Sequence, residues 1–249
     1  MQVDADSFLS GSSRRWVAHY RKNLDRDWQI PWSSGTALTS GEKQRIAASI
    51  AEFQRGEASE AQDYLGKSSA FSTVARDPDF HAASILFVAE ENAHAALLLR
   101  FMQETAIATR QHSFSDVVFR WLRSIGDLGW SSRVLLIAEL IAQDYYPCLR
   151  AATNHAALHR ICDKIEYDEK AHVRFQTERI ARLEAGRSDP AVGLRRGLQS
   201  VLLCGAIVVV YLEHRPVLRA RLSFGKFATT VLRRNRRAQR AINANRRCM

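Results

Sequence analysis

Glu91-Asn92-Ala93-His94 and Glu169-Lys170-Ala171-His172 decide how this chain is read. Each is Glu-x-x-His, set in a long segment whose apolar residues recur at helical spacing. Ile85, Val88, Ala95, Leu98 and Met102 flank the first, and Leu158, Ile161, Ile165, Phe175 and Ile180 the second. Side chains three apart on a helix share one face. Each motif therefore aims a carboxylate and an imidazole in one direction. A single motif this short matches by chance, so the weight comes from what surrounds the pair.

Upstream of each motif lies a matching segment. Gly56 to Leu65 reads GEASEAQDYL, and Ala138 to Pro147 reads AELIAQDYYP. Glu57 precedes Tyr64 by seven residues, as Glu139 precedes Tyr146; alignment on the shared AQDY shifts the register by one. Glu139 is the only acid between Val134 and Gln143, embedded among Leu135, Leu136, Ile137, Leu140 and Ile141. The chain thus reads as two helical hairpins of similar design. Packed together, they place Glu57, Glu91, His94, Glu139, Glu169 and His172 on one axis. Four carboxylates and two neutral imidazoles balance two divalent cations, and oxygen and nitrogen donors suit iron or manganese. Without metal, four acids in a core would repel one another and be costly to bury. Glu60 reads as a surface acid or an extra ligand one turn along. Tyr64 and Tyr146 read as core aromatics or as neighbours of the ligands. Ligating histidines donate their second N–H to a carboxylate, and an acid precedes each motif. Asp168 is expected to hold His94, and Glu90 to hold His172, each across the bundle.

Outward from these helices the chain divides into four parts. Residues 1–38 read as an irregular flap carrying Trp28 and Trp32. Residues 39–184 form the bundle: a capping box at Thr39 and Glu42 opens a helix that runs past Phe71, and Asp77-Pro78 opens the second helix. Phe114 to Ile125 is a crossover helix, and the third helix carries Pro147, where a kink is expected. Residues 185–214 hold a fifth helix with an apolar run from Leu198 to Leu212, short of the roughly 20 residues that span a membrane. Residues 215–249 read as a basic, partly helical tail.

With 46% hydrophobic and 25% charged residues the chain is globular rather than disordered. Of 36 Lys and Arg, 11 lie from Arg215 onward, where there is no Asp or Glu, so the net charge of +10 belongs to that segment. It suggests an anionic partner, a membrane or a nucleic acid, or else only a solvated end, since charge alone does not choose among them. Cys148, Cys162, Cys204 and Cys248 form no Cys-x-x-Cys pair, which excludes zinc-ribbon and rubredoxin-type centres. Scattered cysteines and the lack of a signal-peptide pattern lead us to expect a cytoplasmic protein, with peripheral membrane contact left open.

Over residues 40–184 the chain resembles the ferritin-like superfamily of non-haem di-iron proteins. The Glu57–Tyr64 and Glu139–Tyr146 segments are similar to those of rubrerythrins and the aldehyde-deformylating oxygenase. Asp168–His172 is similar to the oxygen-activating members, including the ribonucleotide reductase small subunit. The resemblance implies an all-α, ferritin-like four-helix bundle with a crossover helix and a C-terminal helical extension. It implies two iron ions, or one iron and one manganese, held by Glu57, Glu91, His94, Glu139, Glu169 and His172. It implies an oxidase or oxygenase that activates O2 to oxidise an apolar or aromatic small molecule with an external electron donor, in a chain that could pair as a homodimer. The alternatives are a rubrerythrin- or ferritin-like protein handling peroxide or iron, and a non-enzymatic helical interaction protein acting through its basic tail. The crossover helix and the Trp28–Trp32 flap are the expected walls of a substrate pocket.

Overall fold

The computed structural model describes residues 5–33, 37–58, 62–110 and 114–248. Among them the chain forms ten helices and no strand. Four build the bundle: α2 (Ser40–Glu57), α4 (Pro78–Glu104), α6 (Leu128–Ala151) and α7 (Ala156–Glu184). In order of the chain the others are α1 (Ala5–Leu24), α3 (Gln62–Val74), α5 (Phe114–Ser124), α8 (Asp189–Glu213), α9 (Arg215–Leu218) and α10 (Phe224–Arg247).

Local chemistry fixes the helix starts. Thr39 accepts from the N–H of Glu42 while the Glu42 carboxylate accepts from the N–H of Thr39, at 2.9 Å. Asp77 caps α4 through the N–H of Phe80, with Pro78 in the first turn. Asp127 caps α6 through the N–H of Trp130. Helix α2 packs on α4, α6 packs on α7, and α4 meets α7 between the two hairpins. Helix α5 spans the crossover from α4 to α6. The result is an all-α, ferritin-like bundle with a crossover helix and a C-terminal helical extension.

Apolar packing is divided by an acidic layer. Along α4, Phe87 belongs to an aromatic cluster with Tyr20, Tyr64, Phe80 and Phe175, while Leu98, Phe101 and Met102 belong to a larger aliphatic core. Glu90, Glu91 and His94 fall between the two.

Three expectations need correction. Residues 5–24 are a helix rather than an irregular flap. Its Gly and Ser residues have low helix propensity, but Val17 and Tyr20 lie one turn apart and pack against α4, and tertiary burial overrides propensity. The single helix expected from Thr39 past Phe71 is two, with α2 ending at Glu57, one residue beyond the weak helix former Gly56. The segment from Arg215, expected as a partly helical tail, is helical as α9 and α10 and packs into the body of the protein. Phe227, Val231, Ala238 and Ile242 are buried at helical spacing, and α10 packs on α7 and α6 with Arg233, Arg236, Arg237, Arg240 and Arg247 exposed. Helix α6 continues through Pro147 to Ala151.

Candidate metal centre

Four helices deliver six candidate ligands to one place. Helix α4 supplies Glu91 and His94, α7 supplies Glu169 and His172, α6 supplies Glu139, and the last residue of α2 is Glu57. Ligand atoms of Glu57, Glu91, His94 and Glu169 lie within 4.8 Å of one another, as do those of Glu91, Glu139, Glu169 and His172. The two sets share Glu91 and Glu169. His94 Nδ1 is 3.6 Å from Glu57 and 4.0 Å from both Glu91 and Glu169. His172 Nδ1 is 2.8 Å from Glu91, 3.4 Å from Glu139 and 3.7 Å from Glu169.

The far nitrogens are tied down. His94 Nε2 lies 2.9 Å from Asp168 and His172 Nε2 lies 2.7 Å from Glu90, both across the bundle. Deprotonated acids can only accept, so each Nε2 carries the proton and donates it. In its neutral form each ring then has an Nδ1 lone pair facing carboxylates. Nδ1 of both histidines, Oε1 of Glu91 and Oε2 of Glu169 are buried without a hydrogen-bond partner. The 2.8 Å approach of His172 to Glu91 therefore lacks hydrogen-bond alignment. Lone pairs converging on a common point from nitrogen and oxygen fit divalent cations.

Proton affinities in the cation-free protein describe the same strain. Burial, with the charges of Glu57 and Glu139, pushes Glu91 up to about 8. Burial and Glu139 push Glu169 well above the ordinary range. Burial opposes charge on His94, but the hydrogen bond to Asp168 and the nearby charge of Glu57 outweigh it and raise the ring to about 9. His172 is raised likewise against burial, chiefly by Glu91. Burial also opposes ionisation of Asp168 and Glu90, yet the hydrogen bonds from His94 and His172 hold both below their usual values.

Around this core, Tyr146 donates a short hydrogen bond to Glu57. Tyr64 is buried and borders a small cavity with Glu57 and Glu91, but its hydroxyl makes no hydrogen bond. Glu60 lies outside the described residues. Asn23 of α1 was not legible as a site residue. Its Nδ2 donates to Glu90 at 2.5 Å and to Asp168 at 2.6 Å, bridging the two acids that hold the histidines. A lone Asn in a polar segment carries no sequence signal. Lys164 adds a cationic donor to Asp168 at 2.5 Å, at an i,i+4 spacing that the sequence displays.

A cavity of about 190 Å³ opens onto Glu57, Glu91, Glu139 and Glu169. Phe53, Phe119, Leu135, Ile141, Ala206 and Val210 make its apolar wall, with Arg123 and His214 as polar members. Helix α5 contributes Phe119 and Arg123 as expected of the crossover. The Trp28–Trp32 segment does not cover the cavity: Trp28 packs on Tyr167, and Trp32 lies under Arg100 at 4.0 Å. His214, which has no motif around it, is buried against Ser49 with Nδ1 at 2.9 Å from its hydroxyl.

The fold has counterparts among solved structures. An R2-like ligand-binding oxidase with aerobically reconstituted Mn/Fe cofactor is 17% identical, with a TM-score of 0.63 over 96% of this chain and 93% of that one. A point mutant of an R2-like ligand-binding oxidase, also with aerobically reconstituted Mn/Fe cofactor, gives a TM-score of 0.64 at 17% identity over 97% and 95%. This chain has the R2-like oxidase fold. No protein-family model matches the sequence, and no curated protein matches it. Because the match covers nearly the whole chain, the R2-like fold accounts for α1 and α8 to α10 as well as for the four bundle helices.

Proposed function

We propose that this protein is a di-metal carboxylate oxidase, which reduces O2 and oxidises an apolar or aromatic small molecule. The observation that carries the reading is the pair of overlapping ligand sets, sharing Glu91 and Glu169, at the end of an apolar cavity. Glu57 and His94 would hold one ion, Glu139 and His172 the other, with Glu91 and Glu169 between them. Both ions are iron, or one is manganese, as in the R2-like oxidases of similar fold. When bound, such a pair supplies the one-electron steps by which O2 is reduced.

The chain's own residues bind, orient and exclude water. Asp168 and Glu90 fix the histidine tautomers, and Asn23 fixes the two acids. Tyr146 holds one oxygen of Glu57, leaving the other to face His94. Phe53, Phe119 and Ile141 keep the cavity apolar, which favours a substrate without charge at the reacting end. No Cys-x-x-Cys pair provides an iron centre of its own, so reducing equivalents come from an external donor.

Elemental analysis of the purified protein beside Glu139→Ala tests this. The reading expects about two ions per chain, as a bundle site of this kind holds, and their loss in the variant. It also expects O2 consumption by the metal-loaded, reduced protein that the variant lacks. Absence of metal after anaerobic reconstitution with ferrous and manganous ions would overturn it.

A further inference from the structure

Helix α8 is apolar on both sides. Gln199, Leu203, Ile207 and Tyr211 face the bundle and are buried. On the opposite side Leu194, Leu198, Val201, Val208, Val209 and Leu212 are exposed, Val201 by 71% and Leu212 by 65%. Leu194, Leu198, Val201, Val208 and Leu212 are four, three, seven and four residues apart, close to whole helical turns, and Val209 sits beside them, so they form one stripe. At 1.5 Å per residue it is about 27 Å long. A solvated face would carry charge at these positions. Helix α5, which walls the same cavity as α8, presents a second short stripe of Val117 and Trp121, continued by Ile125 just past its end.

Charge at the end of the stripe is of one sign. Val208, Leu212 and Phe224 border a groove with Arg215, Arg219 and Arg221. All three arginines and Lys226 are exposed. From Pro190 to Met249 the only acid is Glu213. Apolar side chains beside clustered arginines are what an anionic lipid surface complements: the stripe enters the acyl boundary and the arginines meet phosphates. A second copy of the chain fits less well. At the other end of α8, Asp127 is taken by Arg187 and Arg195, and Asp189 by Arg246, so packing along α8 offers the arginines few acids. A nucleic acid would use the arginines but leave the stripe in water.

Helix α8 is long and apolar enough to cross a membrane by length and composition. It cannot do so in this fold. Arg133 of α6 donates to Gln199 at 2.6 Å, and the inner face of α8 is part of the core. A helix fastened along one side lies on a bilayer rather than through it.

We infer that the exposed face of α8, with α5 beside it and Arg215, Arg219 and Arg221 at its end, docks the protein on an anionic lipid bilayer. The inference stands apart from the metal reading, since none of these residues is a candidate ligand. Flotation with phosphatidylcholine vesicles, with and without phosphatidylglycerol, tests it on the full chain. Wild type is expected to float with the anionic vesicles, less so at high salt, and not with phosphatidylcholine alone. The triple variant Arg215→Ser, Arg219→Ser, Arg221→Ser should bind on the order of a hundredfold more weakly, at about fivefold per charge. Val201→Glu with Leu212→Glu alters only exposed positions and should abolish flotation while metal content and thermal unfolding stay as in wild type. Three outcomes overturn the inference. Wild type fails to bind anionic vesicles, or binding survives both variants, or light scattering shows a dimer that the Val201→Glu, Leu212→Glu variant splits while vesicles are ignored. The last would assign the stripe to a second copy.

Discussion

Replacing Glu90 by Gln should lower metal affinity about 10- to 100-fold, or roughly 1.4–2.8 kcal/mol, although Glu90 is not itself a ligand. One oxygen of Glu90 accepts from His172 Nε2 at 2.7 Å and the other from Asn23 Nδ2 at 2.5 Å. A carboxylate can accept twice; an amide offers one acceptor and one donor. If the new amide nitrogen faces Asn23, two donors meet and the hydrogen bond that aligns Glu90 is lost. If it faces His172, the ring must accept there, and its proton moves to Nδ1. That is the atom whose lone pair points between Glu91 and Glu139, at 2.8 and 3.4 Å. One arrangement loosens the ligand and the other removes it. Anaerobic titration of manganous ion against a chelator of known affinity gives the ratio directly. Circular dichroism shows whether the fold is kept. An affinity indistinguishable from wild type in a folded variant would refute the claim that Glu90 sets the tautomer of His172.

Other predictions test neighbouring parts. Asn23→Ala should weaken metal binding in the same direction but by less, since both acids remain; equal affinities of the variant and wild type would remove Asn23 from the site. Arg133 and Glu184 are both fully buried and doubly paired, at 2.8 and 2.6 Å. Glu184→Ala leaves the guanidinium without a counter-charge and should cost about 3–5 kcal/mol in chemical denaturation, whereas a loss under 1 kcal/mol would mean that water reaches the pair ~freely. Burial, with the charge of Arg110, lowers His214 from the ordinary 6.5 to about 4. Its folded form resists protonation while the unfolded form does not, so its contribution is complete above pH 6.5 and lost as pH falls toward 4, by at most about 3 kcal/mol. His214→Gln should flatten the stability–pH curve across that window, and parallel curves for the two proteins would contradict this. Ala106 ends α4 at φ 50 with the N–H of Ile107 bonded to Met102. Ala106→Gly should raise stability by up to about 1 kcal/mol, and a lower melting temperature would count against a strained cap.

The sequence by itself determined the helices that carry charge with periodicity. Glu91 and His94, like Glu169 and His172, are three apart, and backbone geometry alone puts each pair on one face. The caps at Thr39 and Asp77 are local hydrogen bonds between near neighbours, so they too could be read in one dimension. Tertiary structure decided what lies far apart in the chain. Asn23 meets Glu90 and Asp168 across 67 and 145 residues, and no local pattern marks an asparagine for that task. Helix α1 exists because Val17 and Tyr20 find α4, not because its Gly- and Ser-rich segment favours helix. The arginines from Arg215 onward read as a tail because charge dominates the composition, yet Phe227, Val231 and Ile242 bury one narrow stripe, and a stripe is all that a surface helix needs. The sheltered and exposed sides of α8 were likewise undecidable from the sequence. Both are apolar, and only packing against α6 and α10 tells which one is left to meet a partner.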